Sequence, residues 1–137
     1  MGTNQDCDDL IEKAHKLGLK IIVDMVFNHC SKEHEWFKKS CARDPKCVDY
    51  FIWKDGIGED KKGLPNNWGS IFGTPAWSWN EERGQYYFNM FSADQPDLNW
   101  DSPALVAEIQ GVIRHWNSKG VDGYRLDATS HISKPVE

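Results

Sequence analysis

The feature of this sequence that most constrains its fold is a helix–glycine–strand unit that occurs twice. The first unit has an amphipathic helical pattern over residues 4–17, then Gly18, then an apolar β-branched run at residues 21–23. The second has a helical pattern that ends at Gly120 and is followed by a strand over residues 121–127. Apolar runs of this kind are typical of strands buried on both faces of a parallel sheet. The sequence therefore predicts an α/β fold with two parallel strands, each preceded by a helix.

Capping residues support both predicted helices. Thr3 or Asn4 is expected to cap the first helix, and Asp101 or Ser102 the second, which has Pro103 at its first helical position. Small polar residues accept hydrogen bonds from free N–H groups at helix starts, and proline fits the first turn. The first helix is predicted to have one apolar stripe, formed by Leu10, Ile11, Ala14 and Leu17.

Polar and charged residues lie at the C-terminal end of each predicted strand. Asp24, Asn28 and His29 lie at the end of the first strand, and Arg125 and Asp127 at the end of the second. The C-terminal ends of parallel strands meet at one edge of a sheet, so these residues are expected to form the rim of a site. A carboxylate in a buried strand needs a partner. Two roles are open for Asp24. Either it holds the backbone or an arginine in place, or it has a direct functional role. A single histidine in a loop is otherwise often exposed to solvent.

Residues 30–100 separate the two units and do not have the pattern of a simple crossover. They contain a short helical stretch over residues 32–40 and strand patterns over residues 49–53 and 85–91. Residues 54–66 are polar and glycine-rich, which predicts a mobile loop. A connection of this length inside an α/β unit is more often functional than not. We expect a small, irregular, β-rich subdomain.

The chain contains seven tryptophans, most of them within this insertion. Two interpretations are open: aromatic packing in the core, or a site where flat rings stack on a carbohydrate. Composition alone favours packing.

Charge and hydropathy exclude two classes of partner. The 21 acidic residues outnumber the 16 basic ones, which argues against a nucleic-acid interface. No apolar run approaches the ~20 residues of a membrane span. Residues 1–20 lack the pattern of a signal peptide, so a cytoplasmic location is expected if Met1 is the true start.

The four cysteines, Cys7, Cys30, Cys41 and Cys47, have no zinc-binding spacing. A Cys41–Cys47 disulfide is compatible with an oxidising compartment, whereas scattered thiols are typical of a reducing one.

Three motifs in this order resemble those of the α-amylase superfamily of glycoside hydrolases. They are Asp-Met-Val-Phe-Asn-His at 24–29, Gln-Pro-Asp-Leu-Asn at 95–99 and Gly-Tyr-Arg-Leu-Asp at 123–127. The second motif is similar to one that marks the oligo-1,6-glucosidase and α-glucosidase branch. The resemblance implies an α/β fold that is part of a (β/α)8 TIM barrel, about strands 3 and 4 with their flanking helices, plus an inserted domain B. Residues 1–29 and 101–137 would belong to the barrel and residues 30–100 to domain B.

The resemblance also implies roles for individual residues. Asp127 would be the nucleophile of a retaining hydrolysis, and Arg125 would keep it ionised and oriented. The side chains implied to contact the sugar are His29, Phe72, Phe91 and Gln95. Asp24 and Asn28 would support the site. The expected substrate is a short oligosaccharide with terminal α-linked glucose, and no cofactor or metal is expected.

Two departures from the family pattern qualify this expectation. The family's general acid/base glutamate and a later His-Asp pair have no counterpart here, so we expect a fragment that folds poorly and is inactive by itself. Ala128 follows the implied nucleophile. In the branch that the sequence resembles, enzymes that prefer α-1,6 links usually have valine there and α-1,4 types more often alanine or threonine, so the resemblance implies a preference for α-1,4 substrates. Trehalose-phosphate hydrolase and sucrose isomerase activities stay open as alternatives. So does a non-catalytic ectodomain like the heavy chains of amino-acid transporters.

Overall fold

The computed structural model describes residues 2–135. The helices are α1 (Asn4–Lys16), α2 (Glu35–Cys41) and α3 (Pro103–Ser118). The strands are β1 (Ile22–Val26), β2 (Trp53–Lys54), β3 (Trp77–Asn80), β4 (Gln85–Phe88) and β5 (Gly123–Asp127), and a 3-10 helix covers Thr129–His131. Within the described range, every helix is too short or too polar to cross a membrane.

Strands β1 and β5 pair in parallel, as the repeated helix–strand unit predicted. Their register aligns Asp24 with Arg125 and Val26 with Asp127. Residues aligned in this way project from the same face of a sheet. The charged residues of the two strands are therefore brought together by backbone pairing alone.

Helices α1 and α3 begin at the predicted caps. The Thr3 hydroxyl accepts from the Asp6 N–H at 3.2 Å, and the Asp6 carboxylate accepts from the Thr3 N–H at 2.6 Å. This reciprocal capping box satisfies two N–H groups that lack helical partners. The Ser102 hydroxyl accepts from the Leu105 N–H at 3.4 Å and caps α3, with Pro103 as its first residue.

The insertion contains a second sheet, in which antiparallel strands lie in the order β2-β4-β3. The predicted strand over residues 49–53 was wrong in extent, because only Trp53 of that run belongs to β2. The predicted strand over residues 85–91 ends at Phe88. There the Phe88 carbonyl accepts from the N–H of Asp97, at 3.0 Å, and the chain leaves the sheet. The sequence analysis did not predict β3.

The short helix of the insertion also starts later than predicted. The pattern predicted residues 32–40, whereas α2 covers Glu35–Cys41. The ring nitrogen Nδ1 of His34 accepts from the N–H of Trp36 at 3.1 Å and so defines the helix start. A histidine cap of this kind is not among the usual sequence signals.

Aromatic rings form the core of the insertion and extend it to the β1–β5 sheet. The Phe37 ring lies 5.0 Å from those of Phe51 and Tyr87 and 5.6 Å from that of Trp53. The indole N–H of Trp100 donates to the carbonyl of Phe27 at 2.8 Å. The same cluster includes Met25 in β1 and Leu105 and Ile109 in α3. The tryptophans therefore mainly pack, which was the interpretation that composition favoured.

Two predictions of burial were wrong for the described residues. In α1, Ile11 and Ala14 are buried, but Leu10 and Leu17 are 60% and 77% exposed. In β1, Ile22 is 66% exposed, although the run was predicted to be buried on both faces. Among residues 2–135 the parallel sheet has two strands, and α3 covers the face of β1 that carries Met25. On the opposite face, which carries Ile22 and Val26, both side chains are exposed in the part of the chain that the structure describes.

A carboxylate joins the N-terminal ends of both strands. The Asp122 side chain accepts from the backbone N–H of Ile21 at 2.9 Å and contacts Lys20 Nζ at 2.9 Å and His15 Nε2 at 2.7 Å. The hydrogen bond from the Ile21 N–H makes the largest contribution to holding the pKa of Asp122 well below its usual range, and the contacts with Lys20 and His15 make smaller ones. A depressed carboxyl pKa stabilises the folded state above the unfolded pKa, about 3.9, and this stabilisation is lost as the pH falls below it.

We therefore expect Asp122→Asn to lower the urea midpoint of a folded protein that contains this chain at neutral pH, because the amide loses the charge that these donors stabilise. The gap to the unchanged chain should narrow steadily as the pH falls below about 4. Tryptophan fluorescence measures both midpoints. Asp101→Asn is the matched control, since its carboxylate bonds to no other side chain or backbone group described here. A gap that is independent of pH would contradict the assignment.

Candidate functional site

Arg125 links two carboxylates at the C-terminal edge of the parallel sheet. Its Nη1 donates to both oxygens of Asp24, at 3.1 and 2.9 Å, and its Nη2 lies 2.8 Å from Oδ1 of Asp127. A planar guanidinium can bind two carboxylates in fixed orientations, which an ammonium cannot do. Of the two roles left open for Asp24, the geometry favours support of the arginine.

The clamp formed by Asp24, Arg125 and Asp127 is open to solvent. The Arg125 side chain is 60% exposed and that of Asp127 is 33% exposed. Exposed ion pairs stabilise a fold by less than about 1 kcal/mol. The arrangement therefore contributes orientation more than stability, and it leaves the Asp127 carboxylate accessible to a ligand.

His29 lies beside this clamp and just beyond β1. Its Nδ1 is 3.2 Å from Nδ2 of Asn28, and its Nε2 is 3.0 Å from the side-chain amide of Gln95. Burial lowers the pKa of His29, and the charges of Asp97 and Asp127 oppose this shift in part. The ring is therefore neutral at neutral pH and acts as a hydrogen-bonding group.

The contacts of Asn28 define which nitrogen of His29 carries the proton. The Asn28 Oδ1 accepts from Lys134 at 2.9 Å, and its Nδ2 donates to Asp97 at 3.1 Å. The amide nitrogen thus faces Nδ1 of His29, which accepts. We assign the proton of the neutral ring to Nε2. Because the Gln95 atom placed 3.0 Å from Nε2 is its amide nitrogen, this assignment requires the Gln95 amide to be turned by 180°, so that Oε1 accepts from His29 and Nε2 donates to the Ser92 hydroxyl.

An aromatic wall adjoins His29. The Phe91 ring lies 5.1 Å from His29, 6.4 Å from Phe72 and 5.7 Å from His131. Phe72 is 67% exposed, which is unusual for a phenylalanine and leaves its ring available to a ligand. The structure brings the predicted residues Phe72, Phe91, His29 and Gln95 into one contiguous group. The sequence analysis did not identify His131.

The backbone turns sharply directly after Asp127. Ala128 has φ 49° and ψ 34°, the left-handed conformation. This conformation costs an alanine about 1–2 kcal/mol, so the surrounding structure imposes it. The turn leads into the 3-10 helix, which places His131 against Phe91. No sequence pattern signals such a turn, because glycine is the residue that usually marks it.

A buried ion pair lies beneath the site. The Lys134 ammonium is 3.0 Å from Oδ2 of Asp97, and their side chains are 3% and 0% exposed. The other oxygen of Asp97 accepts from the N–H of Met90 at 3.0 Å. With Asn28, these groups form a closed hydrogen-bond network. The sequence analysis missed Lys134, because one lysine in a polar segment has no distinguishing pattern.

Burial raises the pKa of Asp97 and lowers the pKa of Lys134, and the attraction between the two charges opposes both shifts. Here the Lys134 ammonium contacts the Asn28 and Asp97 oxygens, so these residues do not fit a second cation. No group of three or more His, Cys, Asp or Glu side chains suited to a metal occurs within residues 2–135.

The cysteines make no disulfide among the described residues, and all four are free thiols. Burial raises the pKa of Cys30 to about 12 and that of Cys41 to about 11. Both thiols are therefore protonated at neutral pH, although Cys30 directly follows His29.

We expect Lys134→Met to cost about 3–5 kcal/mol of unfolding free energy, because it leaves the Asp97 carboxylate buried without its partner. The double variant Lys134→Met/Asp97→Asn should lose less than Lys134→Met alone, since no lone charge remains. Urea unfolding of a folded protein that contains this chain measures both. The control, Lys46→Met, removes an exposed pair with Glu108 and should cost less than about 1 kcal/mol. A Lys134→Met cost equal to that of the control would contradict this account.

Comparison with known proteins gives a consistent result. The family described as "Alpha amylase, catalytic domain" matches residues 1–137. Maltase 1 of Drosophila virilis is 51% identical over 133 residues, which cover 96% of this chain and 21% of the maltase.

Two solved structures have the same fold as this chain. The trehalose-6-phosphate hydrolase of Bacillus licheniformis superposes with a TM-score of 0.91 and 42% identity, over 97% of this chain and 24% of that one. A trehalulose synthase mutant superposes with a TM-score of 0.92 and 44% identity, over 98% and 24%. The predicted fold, part of a (β/α)8 barrel with an inserted segment, is confirmed. The chain spans less than a quarter of the length of these proteins. The domain boundaries and the residue roles stay predictions.

Proposed function

Because this chain belongs to the α-amylase family of glycoside hydrolases, we propose that it forms part of a retaining enzyme. The enzyme releases terminal α-linked glucose from short oligosaccharides. The observation that supports this most directly is the guanidinium of Arg125, which holds Asp127 toward the rim occupied by His29 and Phe91.

Asp127 acts as the nucleophile in this proposal. Its carboxylate oxygen forms a bond to the anomeric carbon while the bond from that carbon to the glycosidic oxygen breaks, and water later releases the glucose. Arg125 orients the attacking carboxylate. Neutral His29 donates from Nε2 to a hydroxyl of the sugar, and Gln95 bonds the sugar on the same side. Phe72 and Phe91 pack against the apolar face of the sugar ring. The carboxylic acid that protonates the leaving oxygen is not among the residues assigned here.

Trehalose-6-phosphate hydrolysis and sucrose isomerisation are the alternatives, since a trehalose-6-phosphate hydrolase and a trehalulose synthase have the same fold as this chain. They use the same first steps on a different substrate, so substrate assays distinguish them. A non-catalytic role is disfavoured, because the Asp24–Arg125–Asp127 clamp is complete. We also propose a role in carbohydrate metabolism in the cytoplasm, where free thiols such as those of this chain persist.

The test is a chimera in which this chain replaces the matching segment of Drosophila virilis maltase 1. We expect the chimera to hydrolyse maltose and a chromogenic α-glucoside, and Asp127→Asn to reduce kcat by at least about 1,000-fold. Circular dichroism and an unfolding curve establish that each protein is folded. A folded chimera without activity, or an Asp127→Asn variant that keeps it, would refute the proposal.

In the same chimera we expect Asp24→Asn to lower kcat about 10- to 100-fold with little change in KM, because Arg125 loses its second anchor and the nucleophile is misplaced. If Asp24 has only a structural role, Asp24→Asn will instead lower the unfolding midpoint and the amount of active enzyme. Asp101→Asn serves as the control. Equal kcat values for Asp24→Asn and Asp101→Asn would rule out positioning by Asp24.

The residue type at position 128 leads to a prediction about linkage preference, since the resembled enzymes that prefer α-1,6 links usually have valine there. We expect Ala128→Val to increase turnover of isomaltose relative to maltose. It should also destabilise the protein by about 1–2 kcal/mol, because a β-branched residue is strained at φ 49°. Ala128→Gly removes the strain without adding volume and should not raise the ratio. Steady-state kinetics on both disaccharides measure it, and an unchanged ratio in Ala128→Val would remove the argument for α-1,4 preference.

A further inference from the structure

The buried ion pair of Lys134 and Asp97 reaches the candidate site through the side chain of Asn28. The Lys134 ammonium donates to Oδ1 of Asn28 at 2.9 Å, and Oδ2 of Asp97 accepts from Nδ2 of Asn28 at 3.1 Å. An ammonium only donates hydrogen bonds, and an ionised carboxylate only accepts them. Asn28 is 0% exposed, so bulk water does not compete for its amide. The two charged partners therefore require the same orientation of that amide.

The fixed amide faces one nitrogen of the His29 ring. Nδ2 of Asn28 lies 3.2 Å from Nδ1 of His29. A donor at this position requires an unprotonated Nδ1, which leaves the proton of the neutral ring on Nε2. The reversed amide would place its carbonyl oxygen there and would favour a proton on Nδ1. The orientation of one amide therefore selects between the two tautomers of His29.

The position of the His29 ring has a separate origin. The backbone N–H of Leu98 donates to the Asn28 carbonyl at 2.9 Å, and the backbone of His29 forms an isolated β-bridge with Asp97. The Phe91 ring packs against the imidazole, with the ring centres 5.1 Å apart. These contacts do not depend on side-chain charge. Removal of the buried charges would therefore change the proton of the ring more than its place.

Charge alone shifts the pKa of His29 in the opposite direction from the amide. The charged groups that act on His29 lie in the insertion, in β5 and after it, namely Asp97, Asp127 with its partner Arg125, and Lys134. Burial lowers the pKa of His29 most, the two carboxylates raise it, and Lys134 lowers it least. Loss of both Asp97 and Lys134 charges by itself therefore lowers this pKa. A carbonyl oxygen at Nδ1 stabilises the imidazolium and raises the pKa of His29, so the sign of the shift separates the two effects.

We propose that the Lys134–Asp97 pair is a positioning device for the reaction, which fixes the Asn28 amide and thereby keeps the His29 proton on Nε2. There the N–H is available to a hydroxyl of the reacting glucose. Lys134 and Asp97 act through Asn28 and His29 and do not touch the substrate. The inference rests on the proposed function, since it names the residues that prepare its sugar-binding histidine.

The test is the double variant Lys134→Met/Asp97→Asn in the maltase chimera. The amide introduced at position 97 keeps an acceptor for the Met90 N–H and presents its NH2 group to Asn28, whose own amide then reverses. We use 15N NMR of the chimera labelled at histidine, with His29→Gln for assignment. The proton should be on Nε2 in the unchanged chimera and on Nδ1 in the double variant. The pKa of His29 should rise by about 0.5–1 unit.

Kinetics provide a second readout. At neutral pH the double variant should lower kcat/KM for maltose about 5- to 10-fold, the effect of one lost hydrogen bond to the sugar. This deficit should narrow as the pH falls below the raised pKa of His29, because the imidazolium carries protons on both nitrogens. The matched control is Lys119→Met/Asp8→Asn. It removes a distant ion pair of the same residue types, at 2.7 Å, and should change neither the tautomer nor the pH profile.

Several outcomes would overturn the inference. A proton on Nδ1 in the unchanged chimera does so without any variant. So does a double variant that is folded by circular dichroism but leaves the tautomer and pKa of His29 unchanged, or a kcat/KM deficit that is the same at every pH. If the double variant does not fold, Asn28→Asp places an acceptor at Nδ1, and a proton that stays on Nε2 refutes control by position 28. An inactive chimera would refute the proposed function, whereas the NMR measurements need no activity and still decide this inference.

Discussion

The ion pair between Lys134 and Asp97 is the interaction on which the site depends. It joins the segment after β5 to the end of the insertion, and through Asn28 it reaches the segment after β1. Each partner alone would be costly to bury, and together with the Met90 N–H they satisfy one another. Because Asn28 is held in this way, its amide nitrogen faces Nδ1 of His29. This contact determines the orientation of the imidazole ring and the nitrogen that carries its proton. His29, which lies beside the exposed Asp24–Arg125–Asp127 clamp, is thus held in place by a buried network.

Much of the fold could be predicted because its determinants are local. The caps at Thr3 and Ser102 and the apolar β-branched run of β1 are properties of neighbouring residues. Parallel pairing followed from two helix–strand units of the same kind, and it brought Asp24, Arg125 and Asp127 to one face. For the site, the polar residues at the strand ends were identifiable from their positions. Their roles came from the resemblance and not from spacing.

The parts that could not be predicted depend on contacts between distant residues. β4 ends at Phe88 because its carbonyl bonds to Asp97, and no window around Phe88 contains that information. Lys134 is buried although its neighbours are polar. Ile22 is exposed because burial of a strand depends on what lies opposite it. The left-handed backbone at Ala128 is likewise imposed by its surroundings rather than by the residue.

The network of Lys134, Asp97 and Asn28 has a consequence for the order of events during synthesis. Asn28 and Asp97 are 69 residues apart in sequence, and Asn28 and Lys134 are 106 apart. A ribosome adds about 5–20 residues per second, so several seconds separate the emergence of the first and last members. Asp97 precedes Lys134 by 37 residues, so for about 2–7 s its carboxylate lacks this partner and stays hydrated. Docking of the insertion against the strands is therefore a late step, completed only when the lysine leaves the exit tunnel.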